Sequence, residues 1–343
     1  MDIYIGRITQ MCTAVAYKTK DHYFGRNLDL EYSYHETVTI TPRNYHFTFR
    51  NIEDMKPKDD SMEHYAIIGM AYVVDSYPLY YDAVNEKGLG VAALNFPDNA
   101  TYHMVQKGKI NLASYELIPW ILCRCASVEE VVTGLEKVSI TNQCFREDLP
   151  ASPLHFMVSD KNRSIVLEPM PMGLMIYDNP VNVLTNNPPF LYHTTNLNNY
   201  MSLTNGIPQN NFSQKLPLNQ YSRGMGSLGL PGDLSSASRF VRAAFTTLNS
   251  VSGEKEEESV SQFFHILNAV YQQKGCVKMG NDLYENTIYS SCCNTDKGIY
   301  YYTTYGNSQI TAVDMHRENL SGKELISYEL IKRQQINYQN AKK

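Results

Sequence analysis

The chain has 343 residues, of which 43% are hydrophobic and 19% are charged, and its formal net charge is −5 at pH 7. It is long enough for a large core, and its mild acidity gives no reason to expect nucleic acid or an anionic membrane surface as a partner. No segment approaches the roughly 18 uninterrupted apolar residues of a membrane span, and residues 1–10 lack the apolar stretch of a signal peptide. We therefore expect a cytoplasmic protein.

The first part of the chain is predicted to form mainly β-strands. Short β-branched or aromatic segments predict strands over residues 12–18, 23–27, 37–41, 64–74 and 88–95, the last opened by a turn at 85–88. A helix is predicted over 112–123, with a kink or break at Pro119, and another begins at Ser127, where the sequence has capping-box spacing. Strands over 154–159, 164–168 and 181–185 follow.

The second part begins with a long segment, residues 186–233, that is rich in Asn, Pro, Gly and Ser. A loop of this length is usually a binding loop or a lid. Helices are predicted over 236–248 and 259–273, the latter closed by Gly275, and a three-stranded meander over 287–294, 298–305 and 309–314. Strands at both ends with helices between them predict a layered α+β sandwich in one domain.

Cysteine and histidine spacing argues against metal sites and disulfides. Seven cysteines, at positions 12, 123, 125, 144, 276, 292 and 293, form an odd, scattered set without a CxxC pair. Nine histidines show no HExxH or similar spacing. We therefore expect neither a disulfide framework nor a metal or other cofactor.

Cys12 directly follows Met11, so a start at Met11 or a cut after it would make Cys12 the first residue. One residue would then carry both a thiol and a free α-amine. Because an α-amine titrates near pH 8, it can act as the base for a thiol nucleophile without a histidine partner. The alternative, a buried strand cysteine, is the commoner fate of a lone cysteine.

Two charged residues follow the Cys12 strand after a turn at residues 20–22. A hairpin there would return the chain beside its own start, so that Arg26 or Asp29 could face Cys12. A guanidinium favours a thiolate, and a carboxylate can hold an amine in place. The alternative is a local Arg–Asp pair at a surface turn, which would contribute little.

Asn95 and Asn186 each end an apolar strand shortly before a proline. An Asn amide is a neutral donor that can stabilise a developing oxyanion, although Asn is also a common turn former. Arg239 lies in the first turn of a predicted helix, where the helix dipole disfavours a cation. That placement hints at another role for this arginine.

Taken together, ten segments resemble the choloylglycine hydrolase family, which contains the bile salt hydrolases of gut bacteria and the related penicillin V acylases. The resemblance runs from residue 11 to about residue 330. The segments are Met-Cys-Thr at 11–13, Phe-Gly-Arg-Asn-Leu-Asp at 24–29, Thr-Pro-Arg-Asn at 41–44, Asn-Glu-Lys-Gly-Leu-Gly at 85–90, Leu-Asn-Phe-Pro at 94–97, Leu-Thr-Asn at 184–186, Gly-Leu-Pro-Gly-Asp at 229–233, Ala-Ser-Arg-Phe at 237–240, Phe-Phe-His-Ile-Leu at 263–267 and Lys-Gly-Ile-Tyr-Tyr-Tyr at 297–302.

The resemblance implies a four-layer αββα N-terminal-nucleophile hydrolase sandwich in a single domain. It implies that Cys12 is the nucleophile and that Arg26 and Asp29 are its neighbours. Asn95 and Asn186 match the oxyanion and substrate-orienting positions, and Arg239 matches the remaining active-site arginine. Family members begin with Met-Cys, so residues 1–11 are expected to be absent or removed in the active form, leaving residues 12–343 as the hydrolase domain.

The implied activity is hydrolysis of the amide bond of glycine- or taurine-conjugated bile acids through an acyl-thioester. The alternatives are a penicillin V acylase, which often carries tyrosine at the position of Asn95, and a catalytically silent steroid-binding protein. A steroid pocket is expected around Leu28, Phe96, the segment around Phe145 and the loop after Asn186. In that loop Arg223 could pair with the anionic end of the substrate, or it could be a solvated loop arginine. The family also implies a homotetramer.

Overall fold

The computed structural model describes residues 11–51, 64–280 and 282–340. Residues 1–10, which carry most of the predicted leader, lie outside these ranges. The strands are β1 (Met11–Lys18), β2 (His22–Leu30), β3 (Thr37–Thr41), β4 (Ile67–Val74), β5 (Tyr77–Asn85), β6 (Gly90–Asn95), β7 (Ile110–Ala113), β8 (Val138–Thr141), β9 (Leu154–Ser159), β10 (Ser164–Met170), β11 (Gly173–Asp178), β12 (Val183–Leu184), β13 (Val277–Gly280), β14 (Leu283–Asn294), β15 (Ile299–Thr304), β16 (Asn307–Asp314) and β17 (Ile326–Glu329). The helices are α1 (Leu117–Arg124), α2 (Val128–Leu135), α3 (Phe190–Asn196), α4 (Ser236–Asn249) and α5 (Glu256–Asn268).

Two antiparallel sheets lie face to face at the centre of the structure. The first has the strand order β12-β1-β2-β14-β15-β16, with β13 beside β14, and the second has the order β11-β10-β9-β6-β5-β4-β3-β17. Strands β1 and β2 contact β6 across the space between the sheets. This space is filled by alternate apolar side chains of both sheets, among them Phe24, Met70 and Leu94.

Helices cover the outer face of each sheet. Helices α4 and α5 pack on β1, β2, β12 and β14, and α1 packs on β5 and β6. A second apolar cluster, which includes Trp120 and Val131, joins α1 and α2 to the second sheet. The predicted four-layer αββα order is therefore confirmed. No helix in the described ranges is long and apolar enough to cross a membrane.

The structure contains strands that the sequence analysis missed, of which β5 matters most for the site. Pro78 is the second residue of β5, near a strand end where proline is tolerated. Asp82, a poor strand former, is buried in the middle of β5. The patterns for β3 and β9 predicted their bounds correctly.

The helix predicted over residues 112–123 is present but starts later than predicted, and it runs through Pro119 without a break. The chain forms β7 up to Ala113, and α1 begins only at Leu117. Pro119 thus lies in the first helical turn, where backbone N–H groups have no acceptor within the helix, so proline causes no break. The second helix does begin after Ser127, whose side chain accepts a hydrogen bond from the Glu130 N–H.

The ends of the later elements also differ from the predictions. Helix α5 ends at Asn268 and not near Gly275, because Gln272 already pairs with Thr287 of β14 through its backbone. The segment 186–233 is not wholly irregular, since it contains α3. This short helix lies next to the site described below.

A glycine in β2 permits the close pairing of this strand with β14. A Cβ atom at Gly25 would lie 2.0 Å from the Ser291 carbonyl oxygen, whereas one at Gly232 would meet no heavy atom within 4 Å. Gly25→Ala should therefore lower the free energy of unfolding by about 1–3 kcal/mol or more in urea titrations. The control, Gly232→Ala, should stay within about 0.5 kcal/mol of the parent chain. Equal stability of the two variants would contradict this account of the strand pairing.

Candidate active site

The predicted hairpin between β1 and β2 is present and determines what surrounds Cys12. In its register Cys12 lies opposite Leu28, Ala14 opposite Arg26, and Met11 opposite Asp29. Directly opposed residues share a sheet face and successive residues alternate between faces. Arg26 and Leu28 therefore lie on the face of the Cys12 side chain, while Asp29 lies on the other face. The two charged residues approach Cys12 from opposite sides of the sheet.

Arg26 is fully buried between the two sheets. Its Nη1 donates to the Tyr81 carbonyl at 3.0 Å and to the Ala93 carbonyl, while its Nη2 has no partner among the described residues. Burial lowers the pKa of this guanidinium, but the nearby Cys12 thiol and acidic groups raise the pKa by more. Arg26 therefore keeps its positive charge beside Cys12.

Asp82 provides negative charge behind Arg26. Its carboxylate accepts hydrogen bonds from Tyr289 at 2.6 Å, Tyr300 at 2.7 Å and Ser291 at 3.1 Å, so it is held by three hydroxyl groups of the first sheet. Burial raises the pKa of this carboxyl, although Arg26 and the hydroxyl donors lower it in part. This network fixes the two sheets to each other next to Cys12.

Asp29 is buried on the helix-facing side of the first sheet. Its Oδ1 accepts from the Thr287 hydroxyl at 2.6 Å, and its Oδ2 has no partner among the described residues. Burial raises the pKa of this carboxyl to about 6, against the lowering effects of Arg239 and Thr287. A buried carboxylate oxygen without a partner is able to accept a hydrogen bond from a cation placed beside it.

The Asn186 side chain connects three of the predicted site residues. Its Oδ1 accepts from the Cys12 backbone nitrogen at 2.7 Å and from Arg239 Nη2 at 2.9 Å. Its Nδ2 donates to the Asn95 carbonyl at 2.8 Å. Because two donors meet one end of the amide and an acceptor meets the other, its orientation is unambiguous.

Arg239 reaches Cys12 from α4. It is fully buried, and its Nη1 donates to the Cys12 carbonyl at 2.5 Å and to the Thr13 hydroxyl at 2.7 Å. Helical side chains lean toward the N-terminus of their helix, which brings this guanidinium to the end of α4 that faces β1. Burial lowers its pKa, and Asp29 and Cys12 oppose that effect.

The Cys12 thiol is itself buried, with a relative exposure of 2%. Burial raises the pKa of the thiol above its ordinary value of 9.0, and the Arg26 charge lowers it only in part. At neutral pH the thiol therefore holds its proton and needs a base to become a nucleophile.

Glu285 is a buried acidic residue at this site that the sequence analysis missed. Its Oε1 accepts from the Met11 backbone nitrogen at 2.5 Å. Burial and the neighbouring Asp29 raise the pKa of this carboxyl from 4.5 to about 8. The predicted strand began at 287, so no local pattern placed Glu285 near the start of β1.

The residues predicted to line a substrate pocket do not lie close together, in contrast to the six predicted catalytic residues. Leu28 is buried opposite Cys12, and Phe96 is fully buried with its ring stacked 4.3 Å from that of His155. Phe145 packs against the Tyr77 ring at 5.5 Å. Arg223 lies exposed in the segment 186–233. Their contacts with a substrate stay predictions.

The cysteines are all free, and most of them are buried. Burial raises the pKa of Cys292 and Cys293, so these thiols stay protonated. Within the described residues no group of three or more His, Cys, Asp or Glu side chains is placed to hold a metal ion.

Sequence comparisons place this chain among amide hydrolases. The family model for linear amide C–N hydrolases of the choloylglycine hydrolase family matches residues 12–328. A bile salt hydrolase/transferase from Lactiplantibacillus plantarum is 57% identical over 320 residues, which cover 93% of this chain and 97% of the relative. A bile salt hydrolase/transferase from Clostridium perfringens is 40% identical over 335 residues, covering 96% of this chain and all of the relative.

Solved structures show the same fold. A variant of the conjugated bile acid hydrolase from Clostridium perfringens superimposes with a TM-score of 0.86 at 38% identity, covering 96% of this chain and 100% of that chain. A penicillin V acylase from Agrobacterium tumefaciens has a TM-score of 0.69 at 19% identity, covering 93% and 91%. The N-terminal-nucleophile hydrolase fold predicted from the sequence is confirmed.

Glu285 should make stability depend on pH. Its pKa is about 8 in the folded chain against 4.5 ordinarily, so between these values the folded chain binds more protons than the unfolded one. Its stabilising contribution is complete below pH 4.5 and is lost as the pH rises through 8. Relative to Glu285→Gln, the parent chain should therefore lose unfolding free energy from pH 5 to 8, by at most about 1.4 kcal/mol per pH unit.

The measurement is urea unfolding at several pH values, on samples whose intact masses show the same N-terminus. Glu254→Gln, at an exposed position, is the matched control. If the free energy of unfolding changed with pH equally in the parent chain and in Glu285→Gln, this would contradict the assignment of a raised pKa to Glu285.

Proposed function

The chain belongs to the choloylglycine hydrolase family and is therefore a hydrolase of linear amide C–N bonds, and we propose that it hydrolyses conjugated bile acids through Cys12. The observation that carries this proposal is the hydrogen-bonded set of Cys12, Asn186 and Arg239, with Arg26 and Asp29 on either side. The relatives named as bile salt hydrolases supply the substrate class, bile salts. The family resemblance adds that the bile acids are conjugated to glycine or taurine.

We propose that the active form begins at Cys12, because translation starts at Met11 or because residues 1–11 are removed. An amide nitrogen at Cys12 carries one proton, which is donated to Asn186. An α-ammonium would carry three, and the partnerless Oδ2 of Asp29 is the kind of group that attracts such a cation. The family model also begins its match at residue 12.

In this form the α-amine of Cys12 takes the thiol proton, and the thiolate attacks the amide carbonyl of the substrate. The developing oxyanion is stabilised by the Asn186 amide and by donors at Asn95. The protonated amine returns its proton to the leaving amino acid, and the acyl group remains on Cys12 as a thioester. Water, deprotonated by the same amine, then releases the bile acid and restores the thiol.

The buried charges suit this sequence of steps. Burial alone would keep the thiol protonated, and Arg26 lowers its pKa from the face on which the thiol lies. Asp29 holds the amine from the opposite face, and Arg239 fixes the Cys12 carbonyl. Because the α-amine of the nucleophilic residue acts as the base, the site needs no histidine as general base.

Acyl transfer is a second candidate activity, because the Lactiplantibacillus plantarum and Clostridium perfringens relatives are both named hydrolase/transferase. An amino acid that attacks the thioester in place of water would form a new conjugate. Penicillin V acylase activity has less support, since the similarity to the Agrobacterium tumefaciens acylase is at the level of the fold. A silent steroid-binding protein would bind bile acids and release no amino acid.

Cys12→Ala tests the nucleophile. Release of glycine or taurine from conjugated bile acids should fall by at least about a thousandfold, and formation of new conjugates with an added amino acid should be lost with it. Circular dichroism and the thermal midpoint should remain close to those of the parent chain. Cys276→Ala, which changes an exposed free cysteine, is the matched control and should retain full activity. Normal turnover by Cys12→Ala would exclude this mechanism.

We further propose a cytoplasmic homotetramer, as the family resemblance implies. The segment 186–233 exposes a set of large apolar side chains that a monomer would leave in water. These are Met201, Ile207, Phe212, Tyr221 and Leu228, with exposures of 85, 74, 81, 82 and 65%. Further copies of the chain are the partners proposed for this surface.

Light scattering should give a mass about four times 39.1 kDa. The double variant Phe212→Ser with Tyr221→Ser should weaken assembly, because it removes apolar area that the contact would bury. Met172→Ser, which changes another exposed apolar residue outside this segment, should leave the mass unchanged. A monomeric parent chain would contradict the proposal.

A further inference from the structure

Two buried histidines bind the backbone carbonyls of Thr185 and Asn186, which lie on either side of the Asn186 Cα atom. The Nε2 atom of His155 lies 2.8 Å from the Thr185 oxygen, and the Nε2 atom of His193 lies 2.8 Å from the Asn186 oxygen. Both side chains have a relative exposure of 0%. Because a carbonyl oxygen only accepts hydrogen bonds, each Nε2 must carry its proton.

Each of these imidazole rings also stacks on a phenylalanine next to a proposed site residue. His155 stacks on Phe96, which follows Asn95, with ring centroids 4.3 Å apart and an angle of 5°. His193 stacks on Phe240, which follows Arg239, with centroids 4.7 Å apart and an angle of 21°. The histidines thus connect the backbone that carries Asn186 to the segments that carry two of its three partners, Asn95 and Arg239.

Glu168 connects the two histidines to each other. Its Oε1 lies 3.2 Å from His155 Nδ1 and accepts from the Phe190 backbone nitrogen at 2.8 Å. Phe190 is the first residue of α3, the helix that carries His193. Both nitrogens of His155 therefore face oxygen atoms. His155, Glu168 and helix α3 with His193 thus form a continuous chain of contacts from the Thr185 carbonyl to the Asn186 carbonyl.

His193 is suited to positioning and not to proton transfer. Its Nδ1 is buried and has no partner among the described residues. Burial lowers the pKa of this imidazole to about 4, and the neighbouring His155 and Arg239 contribute to the lowering. The ring is therefore neutral at pH 7, with its single proton on the nitrogen that contacts Asn186.

We propose that His155 and His193 are positioning residues that hold the backbone of residues 185–186 so that the Asn186 amide points at Cys12 and Arg239. This inference rests on the proposed function, because it assigns the histidines to the same site. Two carbonyl contacts and two ring stacks fix the backbone on either side of the Asn186 side chain. An amide that must meet two donors and one acceptor requires a fixed backbone.

The test compares phenylalanine and glutamine at each histidine. Phenylalanine keeps a ring for stacking but removes the donor, so His193→Phe should lower kcat for a conjugated bile acid by about tenfold, the value of one neutral hydrogen bond. KM should change by less than about twofold, since the backbone contact orients the reacting groups. Glutamine can place an amide nitrogen where Nε2 lies, so His193→Gln should recover kcat to within about threefold. At His155 we expect the same ranking of kcat, with His155→Gln above His155→Phe.

His265→Phe, at an exposed position on α5, is the control and should match the parent chain. Unchanged kcat in folded His193→Phe would overturn the proposal. So would folded His193→Gln with kcat as low as in His193→Phe. If His193→Phe does not fold, the comparison of His155→Phe with His155→Gln decides in its place. Failure of the proposed function would be seen separately, as turnover that survives Cys12→Ala.

Discussion

The hydrogen bond between the Cys12 nitrogen and the Asn186 side-chain oxygen joins the two parts of the chain that make the site. Cys12 lies at the start of β1, whereas Asn186 follows β12, the neighbour of β1 in the first sheet. Arg239 donates to the same oxygen and to the Cys12 carbonyl, so Cys12 is held at both ends of its backbone unit.

Burial is the second constraint on the chemistry. It raises the pKa values of Cys12, Asp29 and Glu285, so an isolated thiol here would stay protonated. The two arginines oppose this effect, and their contacts are mainly with carbonyl and hydroxyl oxygens: within the described residues neither forms a direct ion pair with a carboxylate. Their positive charge therefore remains available to a thiolate and to a developing oxyanion.

The sequence predicted the parts of this site that depend on local pattern. The β1–β2 hairpin follows from two strand-like segments around a short turn, and it brings Arg26 and Asp29 to Cys12. Which side of the sheet each residue occupies depends on the strand register, which the pattern did not give. The strand β5 was missed because Pro78 and the buried Asp82 interrupt the alternation of apolar and polar residues that marks a strand. Glu285, His155 and His193 carry no local signal, since their partners are distant in the chain and come close only when the layers assemble.

The proposed mechanism requires a free α-amine on Cys12. Intact-mass spectrometry of the purified protein, with bile salt hydrolysis measured on the same sample, tests it directly. Activity should follow the fraction of chains whose mass corresponds to residues 12–343, with Cys12 first. Full activity in a sample whose chains still carry Met11 on the Cys12 nitrogen would contradict the account, because that nitrogen would then be an amide and could not act as a base.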